Sequence, residues 1–405
     1  MKGAFRTVGS VSIAAMALAA CSSNPRPATL DMGTDGLVWP APPEQTRISY
    51  VGQIASDQDL GKKSGFFDRL KNGILGTGED ALLAKRPFDT HVDEFGRVYV
   101  TNGALSAILV MDRDQRDAQV LAPEGAGALA RPLGLDGDGA GTIFVADPAR
   151  RHVIALDYEG QFVQAYGGTE TLLNPVDVAV SRDGRRLYVV DSYLHQVVMF
   201  DRSGEVLGRI GRDEGSMERE IATAPEELLS GHGHGNEAPS DVAENRGLLP
   251  GEFRYPSFID VGPDGTVYVS DAVNYRVQAF DANGEFLRVF GFHGDTPGAL
   301  ARPKGVATDS EGHVYIVDAA FNNVQIFDSD ANLLLAFAGV GTGPGTLWLP
   351  LGLSIDEQDR IYVADRFNDR VQIFQYHPAI EGVVTDETPE PGDAPPPAAG
   401  DRGEG

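Results

Sequence analysis

The chain has 405 residues and carries 33 Lys and Arg against 59 Asp and Glu, a formal net charge of −26. So acidic a surface repels phosphates, and we exclude nucleic acid as a partner. Hydrophobic residues make up 42%, as in globular proteins, while 49 Gly and 25 Pro predict many turns and few long helices, which favours an all-β fold. Because Cys21 is the one cysteine, the sequence excludes an internal disulfide and a cysteine-based zinc site.

The first 20 residues have the pattern of an export signal. A short basic region precedes an apolar run over residues 8–20, which is too short to span a bilayer as a helix. The run ends in Leu18-Ala19-Ala20-Cys21, which resembles the bacterial lipobox, where a peptidase cuts before a lipid-modified cysteine. The alternative is an ordinary secretory signal with an incidental cysteine. We predict that Cys21 is lipidated. Ser22 follows it, and the absence of Asp at this position resembles the outer-membrane sorting pattern of Gram-negative bacteria.

From residue 86 onward one pattern recurs six times: a leading proline, an alternating stretch with a turn, an aromatic anchor within a β-strand, and a second alternating strand. The anchors, spaced 45, 44, 80, 47 and 47 residues apart, are Tyr99, Phe144, Tyr188, Tyr268, Tyr315 and Tyr362. The leading prolines, 12 or 13 residues earlier, are Pro87, Pro132, Pro175, Pro256, Pro303 and Pro350. Such a period, with Asp-Gly and Asn-Gly turns inside it, is typical of four-stranded antiparallel propeller blades.

We therefore predict a six-bladed β-propeller with strands a to d in each blade. The last copy ends after strand c, and Arg47-Ile48-Ser49-Tyr50-Val51-Gly52 has the cadence of Phe286-Leu287-Arg288-Val289-Phe290-Gly291, a strand d. We expect this early segment to close the ring as strand d of the last blade. The predicted organisation is a signal peptide over 1–20, a lipid-anchored Pro-rich linker over 21–46, the propeller over 47–376 with insertions at 55–86 and 212–252, and a disordered acidic tail over 377–405.

Propeller topology assigns these segments to faces. The d-to-a and b-to-c loops share one face, here called the d–a face, and the a-to-b and c-to-d hairpins share the other, the a–b face. Both insertions join a strand d to the next strand a, so we expect both on the d–a face. The N-terminal linker and the C-terminal tail are expected to leave from the a–b face, which would turn the d–a face away from the membrane.

The repeats resemble a known family. Copies such as Arg302-Pro303-Lys304-Gly305-Val306-Ala307, with Tyr315-Ile316-Val317-Asp318 and Val324-Gln325-Ile326-Phe327, resemble NHL repeats, and the chain is similar to bacterial NHL-repeat lipoproteins. The resemblance implies the fold and leaves the activity open, because NHL propellers include binding platforms, scaffolds and a few enzymes. In the NHL lyase that completes peptide amidation, histidines after the leading prolines hold a metal; here those positions are Phe88, Leu133, Val176, Ser257, Lys304 and Leu351.

Residues 64–76 are predicted to form a short helix in the first insertion, with a basic and an apolar side. The candidate contact residues are Lys62, Lys63, Phe66, Phe67, Leu70 and Ile74. Either the apolar stripe packs on the propeller face, or it docks a partner. Membrane contact is disfavoured because the lipid is expected on the opposite face.

Other polar patterns have simpler interpretations. His232 and His234 are a candidate metal pair, but in a Gly-rich segment a solvated loop is favoured. His91 is expected in the core, and Asp136-Gly137-Asp138-Gly139 is interpreted as a hairpin turn that lacks the full EF-hand pattern. Recurring aspartates after strand b are expected to cap loops or form ion pairs within each blade: Asp147, Asp191, Asp271, Asp318 and Asp365.

We expect a monomeric, lipid-anchored protein of the bacterial cell envelope, in the outer membrane and facing the periplasm or the surface. It is expected to act as a non-catalytic binding or scaffold platform for a protein or glycan. Membrane contact is expected through the lipid alone, and no cofactor is predicted. The alternative is a hydrolase or lyase, similar to propeller lactonases, with a divalent ion at the central channel.

Overall fold

The computed structural model describes residues 36–55, 57–60, 84–102, 105–211 and 249–379. Within these ranges the chain forms six antiparallel four-stranded sheets arranged in a ring, which confirms the all-β, six-bladed propeller. The inner strands of neighbouring blades contact one another around the whole ring. No helix among the described residues is long and apolar enough to cross a membrane.

The strands of each blade, in the order a to d from the channel outwards, follow the predicted repeat. They are Pro87–Val92, Arg97–Asn102, Ala107–Asp112 and Asp117–Leu121 in blade 1; Leu135–Gly137, Thr142–Asp147, His152–Asp157 and Phe162–Gly167 in blade 2; Pro175–Val180, Arg186–Asp191, Gln196–Asp201 and Val206–Ile210 in blade 3; Pro256–Val261, Val267–Asp271, Arg276–Phe280 and Phe286–Phe290 in blade 4; Pro303–Thr308, Val314–Asp318, Asn323–Phe327 and Leu333–Phe337 in blade 5; and Pro350–Ile355, Arg360–Asp365, Arg370–Tyr376 and Ile48–Ile54 in blade 6. Phe292–His293 and Ala299–Leu300 form a small parallel pair between blades 4 and 5.

The ring closes where the early strand Ile48–Ile54 pairs antiparallel with Arg370–Tyr376, as the sequence predicts. Closure leaves the last blade complete, which protects an edge that would otherwise invite intermolecular pairing. A further short strand, Val38–Trp39, lies outside Ile48–Ile54, so the predicted linker over 21–46 contains β-structure. Trp39 packs against Phe337 and Phe374, with ring centroids 5.9 Å apart in both cases.

This outer strand changes the expected direction of the N-terminus. The N–H of Tyr50 donates to the carbonyl oxygen of Leu37 (2.9 Å), so the chain before Trp39 runs back alongside strand d. A Cβ placed on Gly345, in the d-to-a loop between blades 5 and 6, would lie 3.3 Å from Leu37 Cδ1. The described N-terminus therefore lies beside the d–a face. The C-terminal side leaves from the a–b face as expected, where His377 donates its N–H to Arg47.

The hydrophobic core lies between blades. Alternate side chains of each strand point to opposite faces of its sheet, and the blades are buried on both faces. Each apolar cluster joins two neighbouring blades; for example, Tyr315 and Phe337 of blade 5 pack with Ile361 and Phe374 of blade 6 and with Ile48 of the closing strand. Closure by a strand from the other end of the chain thus completes two core layers, one on each side of blade 6.

The recurring aspartates tie the d-to-a loops to the blades. Each of the five is buried at the end of strand b and accepts the backbone N–H of the residue two positions before the leading proline. The acceptor and donor pairs are Asp147 with Ala130 (2.6 Å), Asp191 with Leu173 (2.6 Å), Asp271 with Arg254 (2.7 Å), Asp318 with Ala301 (2.6 Å) and Asp365 with Trp348 (2.7 Å). In blades 4 and 6 the carboxylate also accepts from Arg276 Nε (2.8 Å) and Arg370 Nε (2.7 Å). The start of each of these inner strands is fixed in this way.

Shortening a buried side chain of the closing strand should destabilise the whole ring. Ile48→Ala removes a fully buried side chain at the junction of blades 5 and 6. We expect a loss of about 2–5 kcal/mol in the free energy of unfolding, measured by urea denaturation. Leu287→Ala, on the exposed face of strand d in blade 4, is the matched control and should change it by about 0.5 kcal/mol or less. Equal effects of the two substitutions would contradict the assigned role of the closing strand.

Candidate functional site

The inner strand of every blade has a hydrogen-bonded neighbour on one side only, strand b. Its other edge presents backbone N–H and C=O groups towards the central channel. Groups of this kind need acceptors and donors when they are shielded from water. The channel side chains therefore include residues that satisfy these edges.

Three aspartates share one arrangement, in which a carboxylate from one inner strand accepts a backbone N–H of the inner strand in the next blade. The pairs are Asp89 with Leu135 (3.0 Å), Asp136 with Val180 (2.8 Å) and Asp177 with Ile259 (2.9 Å). A fourth, Asp260, accepts instead from the hydroxyl of Thr308 in the next blade (3.1 Å). These contacts link blades 1 to 5 across their inner edges.

Glycines on neighbouring inner strands make room for two of these carboxylates. A Cβ placed on Gly352 would lie 2.0 Å from Asp89 Oδ1, and one on Gly134 would lie 1.8 Å from Asp177 Oδ1. Each glycine is two residues after its leading proline, which is also the position of both aspartates in their own blades. A side chain larger than hydrogen at either glycine would displace the carboxylate, so glycine and aspartate are required together.

The four aspartates line a cavity of about 700 Å³ that opens on the a–b face. Phe258 lines its inner end. Phe258 of blade 4 also stacks on Phe88 of blade 1, from the opposite side of the ring, with centroids 5.2 Å apart and planes 18° apart. The stacked pair crosses the channel, so the cavity is a pocket with an aromatic inner end and acidic walls. We call it the channel pocket.

His91 is the histidine of the channel pocket. Its Nδ1 lies 2.9 Å from Asp136 Oδ1, and its side chain is 15% exposed. Its Nε2 is buried and has no hydrogen-bond partner within the part of the chain that the structure describes. A Cβ on Gly137 would lie 2.4 Å from this Nε2, so glycine at position 137 is also needed to seat the ring.

Burial makes the pocket carboxylates unusually basic. The pKa of Asp89 is raised to about 7. Burial is the main cause, the N–H groups of Leu135 and Thr90 oppose it, and the nearby charge of Asp136 adds to it. The pKa of Asp177 is raised well above its ordinary value, first by burial and then by the charge of Asp89. Burial also raises the pKa of Asp260 to about 6, although Arg182 lowers it.

Four carboxylates towards the rim differ from those inside because each of the four has a cationic partner. The rim pairs are Asp93 with Arg97 (2.6 Å), Asp138 with Arg202 (2.8 Å), Asp309 with His313 (2.8 Å) and Asp356 with Arg360 (2.6 Å). Among the described residues, Asp89, Asp177 and Asp260 have no such ion pair. The uncompensated negative charge is therefore inside the pocket.

The sequence predictions and the pocket overlap only in part. His91 and Asp136 were interpreted as a core residue and a turn residue, and the structure places both on the pocket wall. Asp89, Asp177 and Asp260 were not singled out. Their signal was available, because polar residues two and four positions after a leading proline lie on the channel side of strand a. The lipidation site Cys21, the basic helix residues, and the His232 and His234 pair lie outside the described residues.

The fit of a divalent ion can be judged from the donor set. Across the described ranges, no group of three or more His, Cys, Asp or Glu side chains is arranged to hold a metal ion. The channel carboxylates direct oxygens at backbone N–H groups of neighbouring blades instead. The residues described here do not fit a metal, and we derive no step through one.

The raised carboxylate pKa values predict that stability falls as pH rises. A carboxyl group whose pKa is higher in the folded than in the unfolded state contributes stability below its unfolded pKa and loses it as pH rises through the folded pKa. For Asp89 this window runs from about pH 4 to about pH 7, and the loss is at most about 4 kcal/mol. Asp89→Asn should flatten the pH dependence of the urea midpoint in this window. Glu159→Gln, an exposed turn substitution, should leave it unchanged.

Comparison with known proteins agrees on the fold. The NHL repeat model matches residues 253–280 and 347–374, in blades 4 and 6. No curated protein sequence matches the chain. A Bacteroides thetaiotaomicron protein of unknown function has a similar structure, with 15% identity and a TM-score of 0.54 over 82% of this chain and 76% of that one.

Two lyase structures are also similar. Streptogramin B lyase shares 12% identity over 73% of this chain and 95% of its own, with a TM-score of 0.49. An inactive variant of virginiamycin B lyase from Staphylococcus aureus, with quinupristin, shares 13% over 72% and 80%, with a TM-score of 0.48. Similarity at this level says nothing about the activity of this chain. The chain is a six-bladed β-propeller that contains NHL repeats.

Proposed function

We propose that the protein is a non-catalytic binding propeller of the bacterial cell envelope, held there by a lipid on Cys21, and that its channel pocket binds a small organic cation. The observation that carries the proposal is a cavity of about 700 Å³ in which the buried Asp89, Asp177 and Asp260 form no ion pair among the described residues. Cavities of roughly 300–1,000 Å³ are typical of small-molecule sites.

Charge defines the ligand class. Buried carboxylates without a counter-ion are costly, and an ammonium group placed between Asp89 and Asp177 would offset that cost. Phe258 at the inner end offers an apolar surface and an aromatic face, which attracts cations. Arg182 is exposed at the rim, so it does not fill the interior. An amine with a short apolar body fits these features.

Binding is favoured over catalysis because the pocket carboxylates are committed to backbone N–H groups that hold the inner strands together. The alternative is a hydrolase or lyase that uses the same channel. One observation favours it: a pKa of about 7 for Asp89 gives a carboxyl group that can donate or accept a proton near neutral pH. The divalent ion of that alternative has no fitting ligand set among the described residues.

Partner binding on the d–a face remains part of the proposal. The insertions join strands on this face. A helix over 64–76 with Phe66 and Leu70, preceded by Lys62, would present a basic and an apolar side to a protein or glycan of the envelope. We propose a monomer with the lipid at Cys21 as its anchor, in the outer membrane, facing the periplasm or the surface.

The pocket proposal is tested with phenethylamine as the probe and the uncharged phenethyl alcohol as its control, by isothermal titration calorimetry of the full chain. We expect the amine to bind at about pH 8 and the alcohol not to bind. Asp177→Asn should lower the affinity for the amine about tenfold, because one charge-assisted contact is lost. Lowering the pH to about 5 should weaken binding to the wild type, because Asp89 and Asp260 become protonated.

The matched control is Asp330→Asn, which removes a carboxylate that is 77% exposed in the c-to-d turn of blade 5. It should leave the affinity unchanged. Equal affinity for the alcohol, or an equal loss in Asp330→Asn, would refute the cation site. Turnover of lactone or ester substrates that Asp89→Asn abolishes would favour the hydrolase instead.

The anchor is tested separately. Cys21→Ser removes the thiol that would carry the lipid, so we expect the protein to leave the membrane fraction in a high-salt wash that the lipidated wild type resists, and to lose incorporation of labelled palmitate. Ser22→Ala is the control and should leave both readouts unchanged. A wild type that carries no label and is already released from the membrane fraction by the high-salt wash would argue for an ordinary secretory signal.

A further inference from the structure

The loop from strand d of blade 5 to strand a of blade 6 carries an exposed apolar surface. Trp348 is 48% exposed and Val340 72% exposed in this loop, while Leu37 (41%) lies against Gly345 and Phe367 (50%) lies in the b-to-c turn of blade 6. Trp348 and Phe367 meet edge to face with centroids 5.8 Å apart, and the N–H of Phe367 donates to the carbonyl of Trp348 (3.1 Å). We call Leu37, Val340, Trp348 and Phe367 the blade 6 patch. Clustered exposed apolar side chains mark interaction sites.

Cations flank the blade 6 patch on an otherwise acidic protein. Arg366 directly precedes Phe367, and its charge interacts with that of Arg86, at the start of blade 1. Burial lowers the pKa of Arg366 and the charge of Arg86 lowers it further. Within the described ranges, neither guanidinium has an ion-pair partner. Asp369 is the carboxylate at this corner, and its Oδ1 accepts the backbone N–H of Arg86 (2.7 Å).

The direction of the chain indicates what the patch faces. Val38–Trp39 brings the N-terminal side of the chain back to the d-to-a loop that carries Trp348, so the segment from 21 to 35 starts beside the blade 6 patch. Fifteen residues reach only about 50 Å when fully extended, and a flexible chain of that length spans about 20 Å. A lipid on Cys21 would keep this corner of the propeller close to the bilayer.

We infer that the blade 6 patch, with Arg86 and Arg366, docks on the surface of a membrane that contains anionic phospholipids. The aromatic side chains have the character of residues that settle at the level of lipid headgroups, and the arginines attract the phosphates. The inference goes beyond the pocket ligand and concerns the opposite face of the ring, where it replaces the expectation that the membrane is contacted through the lipid alone. Its orientation argument rests on the proposed lipid at Cys21. The stacked Phe88 and Phe258 separate the two.

The chain offers a built-in probe, because Trp39 and Trp348 are its two tryptophans. The experiment uses the full chain with two substitutions. Cys21→Ser removes the lipid, which would be a second source of membrane affinity, and Trp39→Phe leaves Trp348 as the fluorophore. Binding is measured to vesicles of phosphatidylcholine with phosphatidylglycerol and compared with binding to vesicles of phosphatidylcholine alone. We expect co-sedimentation with the anionic vesicle, a blue shift of Trp348 emission, and quenching by brominated acyl chains.

Two variants separate the contributions of charge and apolar contact. Arg86→Gln with Arg366→Gln should weaken vesicle binding about tenfold or more, because each basic residue near an anionic surface contributes to the attraction. Phe367→Ala should weaken it several-fold and reduce the blue shift. Arg185→Gln is the matched control: its side chain is 83% exposed on an a–b hairpin of blade 3, and it should have no effect.

The outcomes are decisive in either direction. No co-sedimentation, or an equal loss in Arg185→Gln, overturns the inference. So does binding to a soluble acidic polysaccharide at the same surface with no vesicle binding, which would assign the patch to a glycan. Because all vesicle measurements use Cys21→Ser, a failed lipidation test at Cys21 and a failed docking test remain distinguishable.

Discussion

The free inner edge of strand a is the constraint on which the channel depends. A propeller removes outer edges by stacking blades, but each inner strand still presents unpaired N–H groups to the axis. Neutral side chains can bridge neighbouring blades there, as Thr90 and Ser354 do with hydroxyl groups 2.9 Å apart. This protein uses carboxylates at four other junctions, including Asp89 with Leu135. A buried carboxylate costs more than a hydroxyl in the same role, so the excess charge indicates a purpose beyond holding the strands.

The same side chain has two different functions in this fold, according to its position in the repeat. At the end of strand b, Asp365 accepts a loop N–H and pairs with Arg370, which neutralises it within the blade. On strand a, Asp177 accepts an N–H from the next blade and has no cation beside it among the described residues. The first arrangement recurs in blade 4 with Arg276, and its role is to stabilise the blade. The second varies from blade to blade and gives the channel its asymmetry.

The strands and the closure of the ring could be predicted from sequence because they depend on local periodicity. The blades were predicted from regular spacing such as that from Pro303 to Tyr315. The closure of the ring was predicted from the likeness between the segment starting at Arg47 and a strand d. The pocket could not be predicted in the same way. The carboxylate of Asp89 fits in the channel because Gly352 of blade 6, a residue 263 positions away, leaves room for it. The repeat shows that these two blades are neighbours, but not how closely their inner strands approach each other.

The direction of the N-terminus was missed for a related reason. Two residues, Val38 and Trp39, form a strand too short to give an alternating pattern, and their position depends on a ready-made groove between Phe337 and Phe374. Packing on the completed ring, rather than local propensity, reverses the chain. The reversal matters because it exchanges the faces: the sequence placed the tether with the a–b hairpins, whereas the structure begins it beside Trp348.

This exchange gives the two ends of the channel separate roles. The channel pocket opens on the a–b face, and the stack of Phe88 on Phe258 prevents a ligand there from reaching the d–a face. With the blade 6 patch turned towards the bilayer, the mouth of the pocket faces away from the membrane, where a soluble ligand can enter. The acidic surface as a whole is repelled by anionic lipid, while Arg86 and Arg366 are attracted to it. Opposite charges at opposite ends would therefore orient the propeller as well as select its ligand.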